Sequence, residues 1–91
     1  MKMYELLSTP DKWTQHTTAR NTDGIVCNAW DPEAASWCLA GAAEACYPER
    51  EKGDSVFGRI AQACGEHIVD WNDNKARTYQ EVIELCRKLD I

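Results

Sequence analysis

Ninety-one residues leave room for one domain over positions 1–91 and for one core, because a chain this short buries only roughly 60 to 65% of its unfolded surface; a second domain is excluded. A hydrophobic fraction of 44% that includes four tryptophans is enough to build that core, while 15 acidic against 10 basic residues give a formal charge of −5, which opposes a nonspecific grip on phosphate backbones. The basic residues occur in pairs at most, and no run approaches the roughly 20 apolar residues that cross a bilayer, so direct nucleic-acid binding and a membrane location are both disfavoured.

The start, Met1-Lys2-Met3-Tyr4-Glu5-Leu6-Leu7, is charged too soon to be a signal peptide. Five cysteines, an odd number without a paired-ligand spacing, suit reduced thiols better than a disulfide framework. A cytoplasmic protein is expected on both grounds.

Along the chain, Lys2 to Leu7 carries no decisive signal. Thr9-Pro10-Asp11-Lys12-Trp13 reads as a helix start, with a hydroxyl to accept from free amides, a proline at the first helical position and a carboxylate at the positive end of the dipole. The helical period then disappears. Thr17-Thr18-Ala19-Arg20 faces Ile25-Val26-Cys27 across Asn21-Thr22-Asp23-Gly24, which predicts a short β-hairpin over residues 17–28.

Asp31-Pro32-Glu33 repeats the helix-start chemistry, and from Ala34 to Cys46 only Ser36 and Glu44 are plainly polar. A helix over residues 32–47 that is apolar nearly all round must be central, with Ala40-Gly41-Ala42-Ala43 low enough for a neighbour to approach closely and Tyr47-Pro48 ending it. After a solvated loop from Glu49 to Gly53, Asp54 and Ser55 offer a cap for an amphipathic helix ending near Gly65. Thr78-Tyr79-Gln80-Glu81 is a capping box, and Val82, Ile83, Leu85, Cys86 and Leu89 form the inward face of the last helix. The expected fold is mostly α, a bundle of about four helices around the central one with the hairpin inserted after the first.

Several constellations carry possible chemistry. Asp70, Asn72 and Asn74, with Thr78 and Glu81, occupy oxygen-donor positions of a calcium loop, but Lys75 stands where that loop needs glycine and Arg77 where it takes an apolar residue. Cys64 and His67, with Cys38 and Cys46, could contribute zinc ligands, against a reading of the cysteines as small core hydrophobes. A nucleophile and base could be assembled from Cys64 or Cys46 with His67 or His16 and an acid such as Asp70 or Asp73, though nothing in the linear order joins them. No cofactor is expected. Of the tryptophans, Trp37 reads as core, whereas Trp13, Trp30 and Trp71 stand beside polar residues at element borders, where an indole either seals the core's edge or contributes to a contact patch.

The ordered motifs Trp13-Thr14-Gln15, Asp31-Pro32-Glu33-Ala34 leading into Trp37-Cys38-Leu39-Ala40-Gly41-Ala42, Trp71-Asn72-Asp73, and Arg77-Thr78 with Glu81-Val82 resemble an uncharacterised family of small helical proteins from bacteria and their phages. The resemblance covers most of the chain from Trp13 onward and implies a single helical domain with no assigned activity; it departs at His16, where glycine is the usual residue. Two explanations suit the paired motifs. Asp73 or Asp70 could pair with Arg77 to brace the last loop while Trp71 packs on Trp37 or Leu39, or Trp13, Gln15, His16, Trp71, Asn72, Asp73 and Arg77 could form the rim of a shared interaction site.

These features favour a non-enzymatic protein-interaction or regulatory module with a basic protein partner, for instance a phage-type inhibitor of a basic host protein. The alternative is a small metal-dependent protein or enzyme built around His67, Asp70, Asn72 and Asp73. Pairing of an exposed helix face into a homodimer is a third arrangement open to a domain this small.

Overall fold

The computed structural model spans Met1–Ile91 and contains five helices and a three-stranded antiparallel sheet: α1 (Met3–Leu6), β1 (Ala19–Asn21), β2 (Val26–Cys27), β3 (Ala34–Trp37), α2 (Leu39–Cys46), α3 (Arg50–Cys64), α4 (Ile68–Asp73) and α5 (Tyr79–Leu89). It is mostly helical, but with a sheet larger than the expected hairpin and one helix more than the expected four. None of its helices is long and apolar enough to cross a membrane.

The N-terminal segment folds onto the C-terminal one. Met3 and Leu7 are fully buried, and the Tyr79 hydroxyl donates to the Leu7 carbonyl at 2.5 Å, while Lys2 Nζ reaches the Asp90 carbonyl at 2.8 Å. The helix expected from Thr9 is a single 3-10 turn over Pro10–Lys12. Two local facts stop it: the Thr9 hydroxyl donates to Asp11 Oδ1 at 2.6 Å instead of capping an amide, and Trp13 is extended, bridging to Trp37 with the Thr14 amide donating to the Trp37 carbonyl at 3.0 Å. Sheet pairing therefore prevails over the local helix signal.

The hairpin forms where expected, with Ala19 opposite Cys27 and Arg20 opposite Val26. Its turn closes through Asn21, whose side-chain Oδ1 accepts from the Asp23 and Ile25 amides at 2.9 and 3.0 Å, and Gly24 takes the left-handed conformation at φ 78°. A third strand was not anticipated. β3 pairs with the other side of β1, giving the order β2-β1-β3, so Asp31-Pro32-Glu33 makes a turn into a strand and not a helix N-terminus. The Asp31 carboxylate does cap an amide, that of Glu33 at 2.8 Å, but in an Asx turn, a geometry that shares its residue preferences with the N-cap.

α2 accordingly starts seven residues later than the capping signal suggested, at Leu39, with the Cys38 thiol accepting from the Gly41 amide at 3.2 Å. No residue from Ala34 to Tyr47 is exposed, and α2 lies against α1, α3, α4 and β3. The central position holds for the shortened helix. Leu39, Ala42 and Ala43 are fully buried, and sealing Leu39 alone removes enough apolar surface to contribute about 2 kcal/mol. A side-chain carbon on Gly41 would lie 2.1 Å from the Thr18 carbonyl oxygen, so the low surface of Ala40-Gly41-Ala42-Ala43 accommodates the β1 approach strand itself.

α3 begins at Arg50, directly after Pro48 and Glu49, so the expected loop to Gly53 is helical. Its end at Gly65, left-handed at φ 71°, is as expected. α4 is the unanticipated helix. The His67 ring caps it, Nδ1 accepting from the Val69 amide at 3.3 Å, and Asp70 and Asn72, two of the five donor positions of the calcium-loop pattern, are wound into it. α5 opens with the expected capping box: Glu81 N donates to Thr78 Oγ1 at 3.2 Å and Thr78 N to Glu81 Oε1 at 2.9 Å. Val82, Ile83 and Cys86 turn inward and belong to the same core as Ile60 and Leu39.

Candidate functional site

The Trp13-Thr14-Gln15 and Trp71-Asn72-Asp73 motifs meet. α4 turns Asn72 fully into the interior, where its side chain makes every hydrogen bond an amide can. Oδ1 accepts from the Trp13 indole N–H at 2.8 Å and from the Leu39 amide at 3.0 Å; Nδ2 donates to the Thr14 carbonyl at 3.2 Å and to Asp73 Oδ1 at 2.9 Å. Two donors and two acceptor lone pairs are thus all engaged. Gln15 completes the join, its Nε2 donating to the Asn72 and Asn74 carbonyls at 2.9 and 3.0 Å.

His16 follows with φ 68°, a left-handed conformation that favours glycine. That places its backbone amide on Asp73 Oδ1 at 2.9 Å, while its ring stays largely in solvent with Nδ1 4.0 Å from Asp73 Oδ2. Arg77 does not pair with Asp70 or Asp73. It lies 3.7 Å over the Trp71 ring, donates from Nε to the Trp71 carbonyl at 2.9 Å and from Nη1 to Glu81 Oε2 at 2.9 Å, so the brace on the last loop is built from an indole face and the capping-box glutamate. The seven residues singled out for interaction are therefore brought together, with Trp13, Gln15, Asn72, Asp73, Trp71 and Arg77 bonded or stacked within the joint and the His16 ring largely in solvent.

The donor sets for other chemistry are dispersed. Asn72 is buried and saturated while Asp70 is exposed on the opposite side of α4, and no three His, Cys, Asp or Glu side chains are grouped so that they could hold a metal ion. All five cysteines are free thiols. Burial pushes the Cys38, Cys46 and Cys64 thiols above their ordinary range and raises Cys86 to about 12, which disfavours the thiolate that nucleophilic attack requires.

Trp30 is the tryptophan set apart. It is 64% exposed, in company with Ile25 at 61% and Val26 at 60%, whereas Trp13, Trp37 and Trp71 are half-buried against the core. Val26 lies in β2 and Ile25 directly before it, and Trp30 shares a cleft with Val26. The outer edge of β3 is closed by Trp13 and Thr14, but β2 has no strand beyond it. Trp30 and Glu44 form the wall between two clefts: one, of about 250 Å³, reaches Tyr47 and Phe57, and the other, of about 410 Å³, reaches Val26 and Cys27. The surroundings are acidic. Partial burial, then the Asp31 and Glu33 charges, raise the Cys27 thiol, and none of Asp31, Glu33, Glu44, Glu49 and Asp54 takes part in an ion pair. Sequence reasoning gave Trp30 no weight beyond its border position. The available signal was an apolar run, Ile25-Val26, followed within a few residues by an indole that no neighbouring helix period claims.

The chain matches the model of a family of unknown function, DUF6197, over residues 2–89, and it belongs to that family. No curated protein and no solved structure matches it.

Proposed function

We propose that this protein is a non-enzymatic interaction module whose partner is a protein with a basic surface, and that Trp30 stands at the centre of the contact. The observation that carries this reading is the exposed indole of Trp30, which shares a cleft with the exposed Val26, among carboxylates that take part in no ion pair. Apolar groups left in water among unpaired charges are what a complementary surface removes from solvent and neutralises. The formal charge of −5 would steer a basic partner toward the protein from a distance. The Trp13–Asn72 junction has a different part in this scheme: it fixes the sheet on the helices and so holds the Trp30 face rigid, with His16 and Asp73 as its outward rim. An inhibitor of a basic host protein, carried by a phage and acting in the cytoplasm, is one concrete form.

The test is capture by the immobilised protein from a cytoplasmic extract at low and at high salt, with Trp30→Ala run in parallel. A partner held at low salt, released at high salt and missed by Trp30→Ala is the expected result. Capture of nothing by the unaltered protein at low salt overturns the reading.

A further inference from the structure

Charged side chains on a small domain ordinarily find a counter-ion or lie fully in water, and Glu44 does neither. It belongs to the central helix α2, is half-buried, and has neither an ion-pair nor a side-chain hydrogen-bond partner. It lines the cleft of about 250 Å³ together with three aromatic rings, Trp30, Tyr47 and Phe57, and with Glu49, the residue before α3, and Asp54 within it. Aromatic rings attract a cation through their quadrupoles, and a carboxylate at the same place supplies the full charge. Three carboxylates face one Arg50 around the opening, so the site keeps a net negative charge that only a cationic ligand removes.

From this we infer that the cleft is an anchor site for a single cationic side chain, arginine or lysine, presented by the partner protein. The inference rests on the interaction reading above and names the chemistry of its contact. The guanidinium or ammonium group would lie on the Trp30 ring with Glu44 as its ion-pair partner, and its aliphatic stem would cover Tyr47 and Phe57. The volume suits one long side chain. A second copy of this protein is a poor occupant, because a face-to-face pair would bring both sets of carboxylates together. Nucleic acid is a poor one for the same reason.

The experiment is a titration of isotopically labelled protein with N-acetyl-arginine methylamide, using the uncharged N-acetyl-norleucine methylamide as the control, while the four indole N–H signals are followed by magnetic resonance. Arginine is expected to move the Trp30 signal saturably and leave Trp13 and Trp71 in place. Glu44→Gln, which keeps the shape of the cleft, is expected to weaken the response by about fivefold to tenfold, and added salt to weaken it further. No saturable Trp30 shift, an equal shift from norleucine, or an unchanged response in Glu44→Gln overturns the anchor. So does light scattering that finds a dimer lost in Trp30→Ala. The two proposals fail separately: a partner captured equally by the unaltered protein and Glu44→Gln overturns the anchor and leaves the module, whereas an arginine shift in a protein that captures nothing supports the anchor and overturns the module.

Discussion

The indole N–H of Trp13 donates to Asn72 Oδ1 at 2.8 Å across a sequence separation of 59 residues. The same oxygen receives the Leu39 amide at 3.0 Å, so a single side chain joins the segment before the sheet, the start of the central helix and the last turn of α4. Low local dielectric makes such a junction rigid when complete and expensive when broken.

Asn72→Ala should therefore destabilise the protein far beyond the loss of its few atoms. It strands the Trp13 N–H, the Leu39 N–H and the Thr14 carbonyl at about 1–3 kcal/mol each before relaxation, and a net loss of about 3–5 kcal/mol is expected in urea unfolding. Asn72→Leu separates polarity from packing, since it refills the volume but satisfies none of the three groups. A loss below about 1 kcal/mol for Asn72→Leu would show that the network is incidental.

Of this junction, the pairing of the two motifs was legible in the sequence, though as the outer rim of an interaction site. Its form was not, for Asp70 to Asp73 look like a loop until His67 is seen capping a helix there. The larger miss lies between Asp31 and Cys38. Ala34-Ala35-Ser36-Trp37 has helix-forming composition and no β-branched residue, and it becomes a strand only because β1 offers it a ladder on one side and Trp13 a bridge on the other. Where the signal was local and self-contained, as in the Thr78–Glu81 box or the Gly65 stop, element and boundary were both right.

Gly41→Ala and Gly58→Ala should act with opposite signs. Both sites are helical, and alanine in a helix interior is ordinarily better than glycine by about 0.5–1 kcal/mol. At Gly58 nothing lies within 4 Å of the added carbon, so that gain should appear as a higher urea midpoint. At Gly41 the carbon would stand 2.1 Å from the Thr18 carbonyl oxygen, a backbone atom held by the Cys38 amide at 3.1 Å. The strand must move away, and a loss of about 3 kcal/mol is expected. A neutral Gly41→Ala would mean that the sheet is free to slide on α2.

The Glu81 carboxylate titrates below its ordinary 4.5, first because it accepts from the Thr78 amide, with further help from the Thr78 hydroxyl and from Arg77. A carboxylate whose folded value is depressed contributes its stability above the unfolded value and loses it as the pH falls through the folded one. Unfolding midpoints of the unaltered protein should therefore fall more steeply below about pH 4.5 than those of Glu81→Gln, which can still cap the Thr78 amide but cannot titrate. At neutral pH Glu81→Gln should be the less stable of the two, since it gives up the charge facing Arg77. Parallel curves through the acid range would remove Glu81 from the account.

His16 is the place where the chain holds a conformation its own residue type opposes. At φ 68° an L side chain is strained by about 1–2 kcal/mol relative to glycine, while glycine gives back part of that through a more flexible unfolded chain. The imidazole offers little in compensation, because its side chain is 68% exposed and its nitrogen lies 4.0 Å from the Asp73 carboxylate, an exposed pair of small value even when protonated. What the position needs is the backbone amide on Asp73 Oδ1 at 2.9 Å, and glycine supplies it equally. His16→Gly should thus be stabilising by about 0.5–1 kcal/mol, a rise in melting temperature of about 3–6 °C for a domain of this size. His16→Ala, which removes the ring but keeps the strain, should show no such rise, and if it matched His16→Gly the cause would be the ring and not the backbone.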